Sequence, residues 1–138
     1  MSDTSMQVGR GLFDFAAPSA DALTIELVSG SLANRCRYGG FCYPFYNSVA
    51  EHSVLVSKLA PPENAYEALM HDAHESIMID MPTPMKVRVS GYKELEDQVE
   101  ALVRKKFDVP WPPSDAVKLA DLQALWIEVH QLFDYIHP

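Results

Sequence analysis

His71 and Asp72 stand side by side in the run Leu69-Met70-His71-Asp72-Ala73-His74-Glu75. An imidazole and a carboxylate among apolar neighbours are costly to bury unless paired or coordinated. With positions left open for water, they suit a catalytic divalent cation such as Mn, Co, Fe or Zn. On its own the dipeptide is equally compatible with a surface or helix-capping pair, so its partners elsewhere in the chain decide its weight. His52 lies upstream in Ser48-Val49-Ala50-Glu51-His52-Ser53, and Asp121 downstream in Val117-Lys118-Leu119-Ala120-Asp121-Leu122. The apolar neighbours of Asp121 imply partial burial, where an unpaired carboxylate loses its charge; a metal removes that penalty. Glu75 follows His71 by four residues and Asp72 by three, so a helix carries it to their side. There a carboxylate can orient a water beside the cation and take its proton.

The elements that must position these groups are short and helical. Residues 1–18 read as an irregular arm anchored by Phe13 and Phe15. Ser19 and Asp21 are candidate caps for a helix through Leu23, Leu27 and Val28. The stretch Tyr38-Gly39-Gly40-Phe41-Cys42-Tyr43-Pro44 is a connector by composition. Asn47 or Ser48 begins the helix that carries His52, with Val49, Val54, Leu55, Val56 and Leu59 as its apolar positions and Pro61-Pro62 as its stop. Glu63 to about Ile79 reads as one continuous helix with His71-Asp72 in its middle, ended by Pro82-Thr83-Pro84. Tyr92, Leu95, Val99, Leu102 and Val103 recur at helical spacing up to Phe107. Ser114 caps a last helix carrying Asp121 among Val117, Ala120, Ala124, Ile127 and Leu132. No alternating strand pattern stands out. The expected fold is therefore all-α, a single compact domain over 1–138 built as a bundle of about five to seven helices.

Composition narrows the function classes. A length of 138 residues fits one domain, and 48% hydrophobic with 22% charged residues describes an ordinary globular chain. The net charge of −8 argues against binding nucleic-acid backbone, which relies on Lys and Arg. It leaves room for a small phosphorylated substrate, which needs only a local positive site. No apolar run suits a membrane span, and MSDTSMQVGR lacks the layout of a signal peptide. Cys36 and Cys42 form neither a CxxC pair nor a disulfide framework and read as reduced thiols in a cytoplasm.

The order His, then His-Asp, then Asp, each in its own helical segment, resembles the HD-domain phosphohydrolases. The likeness is strongest to the branch of bacterial 5′-deoxynucleotidases and phage dATP triphosphohydrolases. It is carried by 48–53, by His71-Asp72-Ala73-His74-Glu75, by Asp80-Met81-Pro82-Thr83-Pro84-Met85-Lys86 and by Lys118-Leu119-Ala120-Asp121, and spans about residues 35–128. The resemblance implies an HD-domain fold with His52, His71, Asp72 and Asp121 as ligands of one divalent metal (Mn, Co, Zn, Fe or Mg). It gives Glu75 the water-activating role and puts Asp80 near the attacking water or the leaving oxygen. Arg37, fifteen residues before His52, matches a phosphate-gripping Arg, and Tyr38 an aromatic beside the nucleoside. Lys86 and Lys118 match lysines that reach phosphates in the triphosphohydrolases, and Pro84 with Tyr38 offers flat walls for a base. Arg35 is a further cation, read as structural or surface. His74 carries no ligand role over and reads as a half-exposed helix residue or a support. Two positions depart from the pattern: Gly40 replaces a bulky residue of the adenine-selective relatives, and Ile79 replaces a Gly of the deoxynucleotidases.

The implied reaction is metal-dependent hydrolysis of a deoxynucleotide phosphate bond, first of all dATP to deoxyadenosine and triphosphate. A 5′-deoxynucleotidase acting on monophosphates is the second expectation. A non-catalytic nucleotide- or metal-binding module is the alternative from another class. The expected partners are a small nucleotide and further copies of the chain in a homo-oligomer, with no nucleic acid and no membrane. The expected compartment is a bacterial cytoplasm, or a host cytoplasm for a phage-encoded chain.

Overall fold

The structure, a computed structural model, describes residues 2–133. It opens on an antiparallel hairpin of β1 (Ser5–Val8) and β2 (Gly11–Asp14), with Met6 opposite Phe13 and Gln7 opposite Leu12. The fold is therefore mostly helical but not all-α, and the N-terminal arm is not irregular throughout. Each strand holds only four residues, too few for an alternation to stand out, although β2 does alternate, with Phe13 fully buried and Leu12 exposed. Gly9 adopts the left-handed φ of +56° that the turn requires, and Gln7 Nε2 braces it by donating to the carbonyls of Gly9 and Gly11. Phe13 meets Phe15 edge-on at 5.1 Å between ring centres, so the two anchors hold the hairpin to the body.

Helix α1 (Ile25–Ala33) is capped by Thr24, whose hydroxyl accepts from the Leu27 amide, rather than by Ser19 or Asp21. Helix α2 (Val49–Leu59) begins with a capping box in which Ser48 and Glu51 satisfy each other's backbone amides. The continuous helix expected over 63–79 is broken. A single 3₁₀ turn at Pro62–Asn64 leads into α3 (Ala65–Met70), a turn follows at 71–74, and α4 (Glu75–Met78) resumes. Through this turn the amides bond three residues back: Ala73 to Met70, Glu75 to Asp72 and Ser76 to Ala73. Side chains claim the carbonyls that a regular helix would use. His71 Nδ1 donates to Ala68 O at 2.7 Å, and Ser76 Oγ to Ala73 O at 2.7 Å. The short helix α5 (Thr83–Lys86), then α6 (Tyr92–Lys106) and α7 (Asp115–Leu132, capped by Ser114), complete the chain.

Two apolar clusters meet along α2. One joins Phe13 of the hairpin to Val28 and Leu32 of α1, Val49 of α2, Ile77 and Met78 of α4, and Val99 and Val103 of α6. The other joins Val56 of α2 and Ala68 of α3 to Val117, Ala120 and Ala124 of α7. Small residues on the buried stripe of α7 let it approach α2 closely. The opposite side of α7 leaves Leu119, Leu122, Leu125, Trp126 and Val129 exposed. Among the described residues, no helix is long and apolar enough to cross a membrane.

Ile79, which ends α4, sits at φ +66° and ψ 160°, a region that a β-branched residue occupies only under strain. Its side chain is 45% exposed, so packing recovers little of that cost. The position is shaped for glycine, the residue that the resembling deoxynucleotidases have there. Ile79→Gly is expected to raise the unfolding free energy by about 1 kcal/mol, the relief of strain exceeding the added chain entropy. Equilibrium denaturation measures this, and a loss of more than about 1 kcal/mol would show that Ile79 is unstrained or held by packing.

Candidate metal centre

His52 projects from the second turn of α2 and is 1% exposed, while His71 and Asp72 come from the turn between α3 and α4. One ligand atom from each of these three residues lies within 4.8 Å of the others, a group that could hold a metal ion. Asp121 reaches the same place from α7, its Oδ1 lying 2.9 Å from His52 Nε2 and 3.7 Å from His71 Nε2. Asp72 Oδ2 is 3.0 Å from His71 Nε2 and 3.7 Å from His52 Nε2. The four residues read from the sequence as ligands thus converge.

The two imidazoles are oriented from behind. His71 Nδ1 must carry a hydrogen, because the Ala68 carbonyl can only accept. His52 Nδ1 lies 2.9 Å from Glu128 Oε1, and Glu128 is held below the ordinary carboxylate range against its burial, chiefly by His52. His52 Nδ1 is therefore also the donor. Both Nε2 atoms face the cluster, the arrangement that fixes a metal-binding tautomer. His71 Nε2 is buried and makes no hydrogen bond despite its closeness to Asp72. That is the geometry of two groups converging on a third point rather than on each other, and an imidazole–carboxylate donor set suits a divalent transition metal there.

Electrostatics agree. Burial works against charge on both imidazoles, yet His71 is raised well above its ordinary range by Asp72, and His52 is raised by Asp121 and Glu128. Asp72 is held well below the carboxylate range, against its burial, by His71. Glu75 behaves oppositely. Burial first, then the charges of Asp72 and Asp80, push it up to about 10, and its Oε2 has no hydrogen-bond partner.

Around this centre lie two connected hollows. A cleft of about 440 Å³ is lined by Arg37, Tyr38, Asp80, Pro84 and Lys86 together with Asp72, Glu75 and Asp121. A second, of about 230 Å³, shares Asp72, Glu75, Lys86 and Asp121 and adds His74, Glu96, Arg104 and Lys118. All the site residues expected from the sequence therefore border the centre, but Lys118 lies in the second hollow, 60% exposed and paired with Asp115 at 3.1 Å. His74 is buried rather than half-exposed, with Nε2 3.7 Å from Glu96. Arg35 is outside the site and donates to the Ser76 carbonyl at 2.8 Å. Gly40 takes φ +80°, and a Cβ there would meet open space.

Two residues escaped the sequence reading. Glu96 of α6 pairs with Lys86 and is drawn down to about 2 by the nearby His74 and then by Lys86. Glu128 receives Tyr38 and Arg37 as well as His52. A signal for Glu128 existed: it follows Asp121 by seven residues, two turns along the same face.

The fold and the site define a mostly helical protein with a buried His/Asp group able to hold a metal. No family model matches the chain. It is 44% identical over 112 residues to an Escherichia coli protein titled "Uncharacterized protein YfdR", covering 81% of this chain and 62% of that one. It is 36% identical over 140 aligned positions to "Uncharacterized protein RCAP_rcc00048" of Rhodobacter capsulatus, covering 92% of this chain and 71% of that protein. The chain belongs to the family of this Rhodobacter capsulatus protein. It spans less than two thirds of the length of its Escherichia coli relative.

Adding Mn²⁺ or Co²⁺ at about 100 times its Kd is expected to stabilise the protein by ~2.7 kcal/mol. Uptake must release protons from the raised imidazoles, so affinity should climb as pH rises through their folded-state pKa values and weaken in acid. Titration calorimetry in buffers of different ionisation enthalpy reads both effects. Asp72→Ala should abolish stoichiometric uptake; full uptake by that variant, or none by the wild type, would exclude the centre.

Proposed function

We propose that the chain is an HD-type, metal-dependent phosphohydrolase of deoxynucleotides that converts dATP to deoxyadenosine and triphosphate. The observation that carries this reading is one cleft bordered by Asp72, Glu75, Asp80 and Asp121 on one hand and Arg37, Tyr38, Pro84 and Lys86 on the other. Ligands for a cation thus stand beside cations for a phosphate and flat surfaces for a base. When bound through His52, His71, Asp72 and Asp121, the divalent cation supplies Lewis acidity and neutralises phosphate charge.

The chain's own groups do the rest. Glu75 takes a proton from the attacking water. Burial raises its pKa first and the charges of Asp72 and Asp80 add to that; a cation held by the His/Asp group would offset the second part. Asp80 orients that water or the leaving oxygen. Arg37 grips a non-bridging oxygen; its Nη2 is held 3.1 Å from Glu128, while its Nε has no partner. Tyr38 and Pro84 frame the base. A triphosphate tail runs past the centre into the second hollow, where Lys86 and Lys118 meet its charge. A homo-oligomer remains part of this proposal through the same family resemblance.

A second reading, 5′-deoxynucleotidase, is favoured by one observation. Lys86 is already paired with Glu96 and Lys118 with Asp115, so a tail must compete for both. Product analysis separates the two. The proposal expects dATP to yield deoxyadenosine and triphosphate in one step, and replacing Lys86 and Lys118 together by Ala to harm dATP turnover far more than dAMP turnover. Stepwise loss of orthophosphate, or preference for dAMP, transfers the assignment to the nucleotidase. Glu75→Ala should keep the metal and lose on the order of 10²–10⁴ in rate. Absence of phosphate release from every nucleotide tried with Mn, Co or Mg would leave a binding module.

A further inference from the structure

Glu128 is 3% exposed on α7, yet it borders neither hollow. A buried carboxylate persists only when its oxygens are satisfied. Here three donors from two parts of the chain do so. His52 Nδ1 lies 2.9 Å from Oε1; the Tyr38 hydroxyl, at 2.7 Å, and Arg37 Nη2, at 3.1 Å, share Oε2. The first of these contacts belongs to the metal centre and the other two to the substrate side of the cleft. Tyr38 is held at φ +57°, an unfavourable conformation for a non-glycine residue, so its hydroxyl bond also secures a strained connector.

We infer that Glu128 is a positioning residue that sets the metal ligand His52 and the phosphate clamp Arg37–Tyr38 at once, an inference that rests on the phosphohydrolase reading for its substrate half. Through Oε1 it keeps the His52 lone pair at Nε2, aimed at the cation. Through Oε2 it holds the guanidinium and the phenol in the wall of the cleft. It touches neither cation nor substrate. The two halves of the site therefore share one anion and fail together when it is changed.

The test is Glu128→Gln, which keeps size and removes the charge. Co²⁺ affinity, read from visible absorption and calorimetry without any nucleotide, should weaken by about 10–100-fold. At saturating Mn²⁺ the kcat for dATP should return to within about threefold of wild type, while KM stays raised on the order of tenfold because Arg37 is no longer held. A merely structural loss would lower kcat through a smaller active fraction and leave KM unchanged. If the Gln variant does not fold, Glu128→Asp keeps the charge on a shorter arm and must show the same paired loss in smaller measure. Unchanged Co²⁺ affinity in the variant that folds, or an unchanged KM, overturns the inference. A wild type that binds Co²⁺ but turns over no nucleotide overturns the phosphohydrolase reading instead, and the affinity measurement still decides the role of Glu128 towards His52.

Discussion

The approach of α7 to α2 is the contact on which everything else depends. His52 belongs to one helix, Asp121 and Glu128 to the other, and none of the three has a function alone. They meet because Ala120 and Ala124 of α7 lie against the face of α2 that carries Val56. A larger residue at either alanine would push the helices apart and open the charged cluster to water, where its interactions lose most of their strength. The apolar packing and the polar site are thus one structure. Val56 excludes water one turn away from an imidazole that is 1% exposed.

A second requirement is that the chain stop being a regular helix where the candidate site sits. In the turn at 71–74, with roughly three residues per turn, Asp72 and Glu75 come into line on one face. His71 trades its place in a helical ladder for a hydrogen bond to the Ala68 carbonyl, which fixes which nitrogen faces the cluster. Immediately afterwards Ile79 accepts an unfavourable backbone conformation, and the chain turns so that Asp80 enters the cleft. The break at 71–74 and the strained Ile79 both fall within ten residues of His71 and Asp72.

The legible parts of the sequence were those with local signals. Ser48 with Glu51 announces α2, Ser114 announces α7, and the spacing of Val99 and Val103 announces α6. The candidate ligands were legible because their order resembles a known pattern. The hairpin was not, since four-residue strands carry no periodicity. The break at 71–74 was not, since nothing between Glu63 and Ile79 is Gly or Pro and the interruption comes from His71 and Ser76 bonding to nearby carbonyls. Glu128 was hidden between Ile127 and Val129, where an acidic residue reads as a solvated helix position; its partners lie 76 and 90 residues away along the chain. Its seven-residue spacing from Asp121 is the one local trace it leaves.

The seven-residue interval from Asp121 to Glu128 has a consequence for how this chain can vary. A helix turns by about 100° per residue, so one residue inserted or deleted between them would swing one carboxylate off the shared face while the other stayed. The outward Leu122, Gln123 and Trp126 can be exchanged for other helix formers, but the span 122–127 cannot be lengthened or shortened. Two turns of α7 therefore act as a ruler. Across the family, differences in length should gather outside this span, and Leu122 and Trp126 within it are free to diverge while the count between the two acids stays fixed.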